Sequence, residues 1–121
     1  MATIRAYTDE QQSKKLAEIL PIESADMRYV PFGDIHPWVW NEEVKLLEKG
    51  SVPCWSLASL LGVLPKKIEL EGVAYELSIY LNGLYYWNVN NGNLLLEVKG
   101  KDNLVDACVD MIIKLNKLNL L

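Results

Sequence analysis

The chain has 121 residues, half of them apolar, and carries a net charge of -4 at pH 7. This length is typical of one domain, and the apolar fraction excludes an intrinsically disordered chain. The lysines and arginines are scattered, whereas phosphate contacts need basic residues gathered on one face. We therefore expect a single domain over residues 1–121 that binds neither nucleic acid nor a membrane.

The N-terminal stretch "MATIRAYTDEQQ" lacks the apolar segment of a signal peptide, and no apolar run in the sequence is as long as a membrane span. We therefore expect a cytoplasmic protein. Thiols stay reduced in that compartment, so Cys54 and Cys108 are expected to be free rather than joined by a disulfide.

The N-terminal part of the chain predicts a helix followed by a strand. Thr8, with Gln11 three residues later, has the spacing of a capping box and marks the start of the first helix. Pro21 ends that helix, and residues 25–30 have the composition of a short strand.

The middle of the chain predicts irregular structure and then helices. Prolines and a glycine disfavour regular pairing over residues 31–41, and residues 42–50 fit a short helix. A central helix is predicted over residues 54–64, with Pro53 in its first turn and Pro65 as its stop.

From residue 68 the apolar residues alternate instead of following a helical period, which predicts strands. We expect a three-stranded antiparallel meander over residues 73–99, with residues 68–71 or 25–30 as a further strand. The turns are predicted at Asn82-Gly83 and at Asn91-Gly92, two typical hairpin dipeptides.

The register of the first hairpin is predicted from the apolar faces of its two strands. A three-residue loop, Leu81-Asn82-Gly83, pairs Ile79 with Tyr85 and gathers the apolar residues on one face. In this register Gly83 takes a left-handed conformation. The second turn, with two residues, pairs Val89 with Leu94.

The last helix has the clearest sequence signals. Asn103 caps its start, with Asp106 at the third position, and an Asp110–Lys114 pair lies on its solvent side. We therefore predict an α+β fold in which the meander packs with N-terminal, central and C-terminal helices. The buried stripe of the last helix is predicted to be Leu104, Cys108, Met111, Ile112, Leu115 and Leu118.

The string "PCWSLAS" at residues 53–59 resembles the nucleophile segment of papain-like cysteine proteases, in which a Cys-Trp pair starts a helix. The resemblance is limited to this pair, because the glycines before the cysteine and a histidine after it are missing. His36, the single histidine, precedes Cys54. If the protein is an enzyme, Cys54 with His36 is the candidate catalytic pair, and the alternative is that Cys54 packs the core.

A metal site is a further hypothesis, with Asp34, His36, Cys54 and Cys108 as ligands of suitable type. Their spacing matches none of the short motifs of metal sites. We therefore expect neither a metal nor another cofactor.

Four aromatic residues are candidates for binding a partner. Trp38 and Trp40 are anchors of the kind that is enriched in protein interfaces, and the alternative is that they cover one end of the core. Tyr80 and Tyr86 are predicted on the sheet face away from Trp87, where they are either a second binding surface or ordinary cross-strand aromatics.

Three segments, "KKLAEILPIESADMRY", "PCWSLASLLGVLP" and "NLVDACVDMIIKL", resemble a group of small uncharacterised proteins of gut Bacteroides-type bacteria and their phages or mobile elements. The resemblance implies a cytoplasmic protein and assigns no functional residue.

Taken together, these patterns favour a non-enzymatic protein-interaction or accessory protein, with an unidentified protein partner or as a homo-oligomer. The alternatives are a hydrolase or transferase that uses Cys54 with His36, and a small-ligand binder with an aromatic surface.

Overall fold

The computed structural model describes residues 5–29, 37–39, 50–81 and 83–121, and of residues 37–39 it describes the backbone alone. Within these ranges the chain forms three α-helices and seven β-strands. In chain order they are α1 (Glu10–Ala17), a 3-10 turn (Ile22–Ser24), β1 (Met27–Tyr29), β2 (Pro37–Val39), β3 (Val52–Cys54), α2 (Leu57–Val63), β4 (Lys67–Leu70), β5 (Val73–Tyr80), β6 (Gly83–Trp87), β7 (Leu94–Val98) and α3 (Leu104–Lys117).

The described strands form two antiparallel sheets. The smaller sheet has the order β2-β1-β3, and the larger has the order β4-β5-β6-β7. The larger sheet is the predicted meander, extended by the strand expected at residues 68–71. The strand expected at residues 25–30 is β1, which belongs to the other sheet. The α+β fold class is therefore confirmed.

Some predictions for the middle of the chain are wrong, and one falls on residues that are not described. Residues 37–39 were predicted irregular but form β2, which pairs with β1. Residues 52–54 form β3 instead of the start of a helix. Of the helix predicted at 42–50, residues 42–49 lie outside the described residues.

One hydrophobic core joins the larger sheet to the helices. The helices α2 and α3 pack on each other, and α3 lies against β6 and β7. Trp55, between β3 and α2, is fully buried in the same core. The buried core residues on the helices and on β6 are Leu16, Leu60, Leu84, Tyr86, Val105, Ala107, Cys108, Val109, Met111, Ile112 and Leu115.

The first helix has a different capping residue from the one predicted, and the central helix starts later than predicted. Asp9 caps α1 and forms the capping box with Gln12, one residue later than predicted. Thr8 instead lies buried, where its hydroxyl accepts a hydrogen bond from the amide of Trp55 at 3.1 Å. Ser56 caps α2, and the Asp26 carboxylate accepts a hydrogen bond from the Ser56 amide at 2.9 Å. Thr8 does not cap α1, because its hydroxyl bonds Ser13 and the amide of Trp55 instead.

The last helix begins as predicted, since Asn103 accepts a hydrogen bond from the Asp106 amide at 2.9 Å. The predicted pairing of Asp110 with Lys114 is replaced by two other contacts. Asp110 forms an ion pair with Lys101, and the Lys114 amine donates to the carbonyl of Glu97 at 2.8 Å. The helix is thereby attached to β7.

The predicted register of the β5–β6 hairpin is wrong by one residue. Tyr80 pairs with Gly83 and Leu77 with Tyr86, so only two residues connect the strands. Because successive side chains of a strand point to opposite faces, this shift places Tyr86 in the core and turns Tyr85 and Trp87 to the other face.

Gly83, opposite Tyr80 at the start of β6, also makes a close contact with β7. A Cβ atom at this position would lie 2.3 Å from the carbonyl oxygen of Val98 on β7. The absence of a side chain therefore lets the start of β6 approach β7 closely. Gly83 has no left-handed backbone, contrary to the prediction, whereas Gly92 has one, with φ 75°.

The turn between β6 and β7 is longer than predicted. The Asn88 amide donates to the carbonyl of Asn93 at 2.8 Å, and the Asn88 side chain accepts hydrogen bonds from Asn90 and Asn91 at 3.0 Å each. An irregularity between Tyr86 and Trp87 then shifts the register. The predicted pairing of Val89 with Leu94 is therefore wrong.

We predict that Gly83→Ala lowers the free energy of unfolding by roughly 1–3 kcal/mol, because the new methyl group would force two backbone segments apart. Gly62→Ala in α2 is the matched control, since a Cβ atom added there would meet no heavy atom within 4 Å apart from the neighbouring backbone of its own helix. That control should be stabilising by about 0.5–1 kcal/mol. Urea unfolding measures both, and equal stability of the two variants would contradict the close approach.

We also predict that Tyr86→Phe destabilises the protein by roughly 1 kcal/mol, because it removes the hydrogen-bond donor of a partly buried carbonyl. The Tyr86 hydroxyl donates to the carbonyl of Pro65 at 2.6 Å. Tyr85→Phe, one residue away on the other face, should leave the stability unchanged. A larger loss of stability in Tyr85→Phe than in Tyr86→Phe, measured by thermal unfolding, would contradict the register of the β5–β6 hairpin.

Candidate functional site

The residues predicted for a catalytic or metal site are only partly described. Asp34, His36 and Trp40 lie outside the described residues. Trp38 belongs to β2, where its backbone is the partner of Arg28 on β1. The hypotheses of a Cys54–His36 pair and of a Trp38–Trp40 surface therefore stay predictions.

Cys54 lies at the end of β3 and is fully buried. Its sulfur donates to the Thr8 carbonyl at 3.5 Å and lies 3.6 Å from the Thr8 hydroxyl. Burial raises the pKa of the Cys54 thiol, although the nearby hydroxyl groups of Thr8 and Ser13 oppose this shift. A protonated, inaccessible thiol is a poor nucleophile.

Cys108 is equally buried, within α3, and burial raises the pKa of its thiol to about 12. Both cysteines are free. Their surroundings are those of packed core residues in the described structure.

The polar groups around Cys54 satisfy one another. The hydroxyl groups of Thr8 and Ser13 are hydrogen-bonded at 2.8 Å, and the Tyr29 hydroxyl donates to the Thr8 carbonyl at 2.7 Å. Burial, and then the neighbouring Cys54, raise the pKa of Tyr29. This arrangement ties the N-terminal segment to β1 and β3, which is a structural role.

The outer face of the larger sheet, opposite the helices, carries a groove of about 420 Å³. Its floor is aromatic: the rings of Tyr80 and Tyr85 meet edge to face, with centroids 5.0 Å apart and planes at 85°. The Trp87 indole lies beside them and donates to the Ser78 hydroxyl at 2.6 Å. We call this the aromatic groove; its lining residues are Tyr80, Tyr85, Trp87, Gly92 and Leu94.

Several large side chains in and around the aromatic groove are exposed. Tyr80 and Leu94 both have 53% of their surface exposed, and Leu81, beside Tyr80, has 98%. Monomeric proteins rarely leave such residues grouped together without a binding role. The aromatic groove is therefore the best candidate site among the described residues.

Carboxylates flank the rings of the aromatic groove. Glu76 is the cross-strand partner of Trp87, and Glu97 is the partner of Tyr85. Directly opposed residues on neighbouring strands lie within side-chain reach of each other. The site therefore offers aromatic faces, aliphatic surface and negative charge to a ligand.

Tyr80 and Tyr86 were predicted together on the sheet face away from Trp87, and the structure separates them. Tyr80 shares the face of Trp87, and Tyr86 lies on the opposite face. Tyr80 lines the aromatic groove, but Tyr86 is fully buried in the core, and burial raises the pKa of its hydroxyl. Tyr85 and Trp87 were missed because the predicted register placed them inside. The signal that could have found them is the alternative pairing of Tyr80 with Gly83, which puts all three rings on one face.

Two other clefts have less to offer a ligand. A cleft of about 400 Å³ near Arg5 is polar, and its groups already bind each other: the Asp106 carboxylate accepts hydrogen bonds from Arg5 and from Gln12, both at 2.8 Å. A cleft of about 430 Å³ lies beside Leu20, Val63 and Leu121, between the segment after α1, the end of α2 and the residues that follow α3.

Comparison of the chain with protein-family models, curated proteins and solved structures finds no match. None of the helices in the described ranges is long and apolar enough to cross a bilayer. Among those same residues, no group of three or more histidine, cysteine or acidic side chains is arranged to hold a metal ion.

We predict that thiol reagents label Cys54 and Cys108 slowly in the native protein at pH 8 and rapidly in denaturant, because both thiols are buried and protonated. Peptide mass spectrometry reads the two sites separately.

The pH dependence of this labelling has a definite sign. A thiol whose pKa is raised by folding contributes to the stability of the native state at pH values below the pKa of the unfolded thiol. This contribution is lost as the pH rises towards the pKa of the thiol in the folded protein. Up to about pH 9, both thiols should therefore be labelled far more slowly in the native protein than in the denatured protein at the same pH. Rapid labelling of Cys54 near neutral pH that disappears in His36→Ala would instead support the catalytic pair.

Proposed function

We propose that this protein is a small non-enzymatic binding protein that contacts a protein partner through the aromatic groove. The observation that carries the proposal is the grouping of Tyr80, Tyr85 and Trp87 on the sheet face opposite the helices. Large aromatic residues with a polar atom are the residues most enriched at the energetic centres of protein interfaces.

The shape of the aromatic groove supports binding to a surface rather than enclosure of a substrate. It is a shallow, open groove, and exposed Leu81 and Leu94 add apolar surface at its border. A protein segment can use such an area without being surrounded. The buried, protonated state of Cys54 argues against the alternative of a cysteine-dependent enzyme.

A small-ligand binder is the second candidate function, and the volume of about 420 Å³ favours it, since ligand pockets start at roughly 300 Å³. A second copy of the chain is another candidate occupant of the same face. We retain the cytoplasmic location, and the relationship to proteins of gut bacteria and their phages or mobile elements, as predictions from the sequence.

The proposal is tested by selecting displayed random peptides on the wild-type protein. Tyr80→Ser/Leu94→Ser removes two half-exposed side chains from the aromatic groove. Ile22→Ser/Leu118→Ser is the matched control, because these side chains are 49% and 52% exposed and lie elsewhere. We expect selected peptides to bind the groove variant at least about tenfold more weakly, and the control variant as tightly as wild type.

Two results would contradict the proposed site. One is an equal loss of peptide binding in both double variants, and the other is peptides that bind the groove variant as tightly as the wild-type protein. Sedimentation at several concentrations decides whether the occupant is a second copy: a dimer that the groove variant abolishes would replace the separate protein partner.

A further inference from the structure

We propose that the aromatic groove recognises an arginine side chain presented by the partner protein. This inference rests on the proposed function and specifies its ligand chemistry. It depends on two independent features of the site, the arrangement of the rings and the distribution of charge around them.

The charges on the outer sheet face favour a cation. This face carries the amines of Lys67 and Lys99. The Lys67 amine lies 3.1 Å from the carboxylate of Glu69, and the Lys99 amine lies 3.9 Å from that of Glu97. The third carboxylate, that of Glu76, lies opposite Lys67 in the β4–β5 pairing but forms no ion pair within 4 Å among the described residues. Three carboxylates and two amines leave a net negative charge on this face.

The third carboxylate, that of Glu76, belongs to the strand position opposite the largest ring. Glu76 is directly opposite Trp87 in the β5–β6 pairing, and its side chain is exposed. Cations are attracted to the face of an indole, and a carboxylate at the same place adds direct Coulomb attraction and hydrogen-bond acceptors. A cation that stacks on Trp87 can therefore also reach Glu76.

The ring arrangement selects a planar cation. Tyr80 and Tyr85 already contact each other edge to face at 5.0 Å, so they do not leave a space between them that encloses a compact ammonium ion. The accessible ring surfaces border an open groove. A guanidinium group fits this geometry, because it stacks flat on an aromatic face and donates in its own plane to a carboxylate.

The position of the groove selects a polypeptide over a free small molecule. Exposed Leu81 and Leu94 lie beside the rings and present apolar surface that a small cation would leave uncovered. An arginine within an extended segment brings neighbouring side chains to cover that surface, while its own aliphatic stem packs on the rings.

The experiment is a titration of the intact protein, followed by two-dimensional NMR of the Trp87 indole, whose signal is assigned with Trp87→Phe. The probes are N-acetyl-arginine methylamide, its neutral analogue N-acetyl-citrulline methylamide, and tetramethylammonium chloride. We expect the arginine derivative to bind about 2–5 times more tightly than the citrulline derivative, and tetramethylammonium to bind most weakly.

Two charge variants locate the source of this preference. Glu76→Gln should remove most of the preference for arginine over citrulline. Glu23→Gln is the matched control: it removes the same charge from an exposed side chain in the 3-10 turn and should leave the preference unchanged. Spectra of the free variants confirm that both are folded.

Equal binding of the arginine and citrulline derivatives would overturn the inference, and so would an equal effect of the two charge variants. Tighter binding of tetramethylammonium would replace arginine by a small ammonium ligand. None of these results affects the peptide selection that tests the groove itself. The two failures are therefore distinguishable. If the proposed function is wrong, no selected peptide depends on Tyr80 and Leu94 for its binding, whatever the titration shows.

Discussion

The close approach of Gly83 to the carbonyl of Val98 is the constraint on which the rest of the larger sheet depends. With 2.3 Å between that oxygen and a notional Cβ atom, β6 can start at this place only with glycine. Once Gly83 faces Tyr80, each later pair of the β5–β6 hairpin is determined. A slip by one residue would exchange the core face for the solvent face, bringing Trp87 inside and Tyr86 outside.

A second constraint, the hydrogen bonding of buried Thr8, holds the N-terminal segment against the smaller sheet. Thr8 binds Ser13, Tyr29 and Trp55 through its hydroxyl and carbonyl groups, at 2.7–3.1 Å. These bonds connect the N-terminal segment, β1 and the end of β3, and they surround the Cys54 sulfur. The position of Cys54 is thus a consequence of satisfying buried polar groups, which explains how a cysteine beside a tryptophan can resemble a nucleophile segment in sequence and still be a core residue.

The binding face follows from the first constraint. Because α2 and α3 occupy the side that bears Leu84 and Tyr86, the rings of Tyr80, Tyr85 and Trp87 remain on the side that no described helix covers. Leaving apolar rings in water lowers stability relative to burying them. Their grouping on one face, with Glu76 opposite Trp87, is therefore better explained by a ligand than by folding.

Local signals in the sequence determined the type and the ends of several elements. Asn103 starts α3, Pro65 follows the end of α2, and alternating apolar residues mark β5. These features could be predicted because a cap, a proline or a period of two acts within a few residues. Only the tertiary structure decided the register, the burial of Tyr86 and the aromatic groove. Apolar residues occur on both faces of β6, so the pattern alone is ambiguous, and the choice depends on a backbone contact with Val98, which is distant in the sequence.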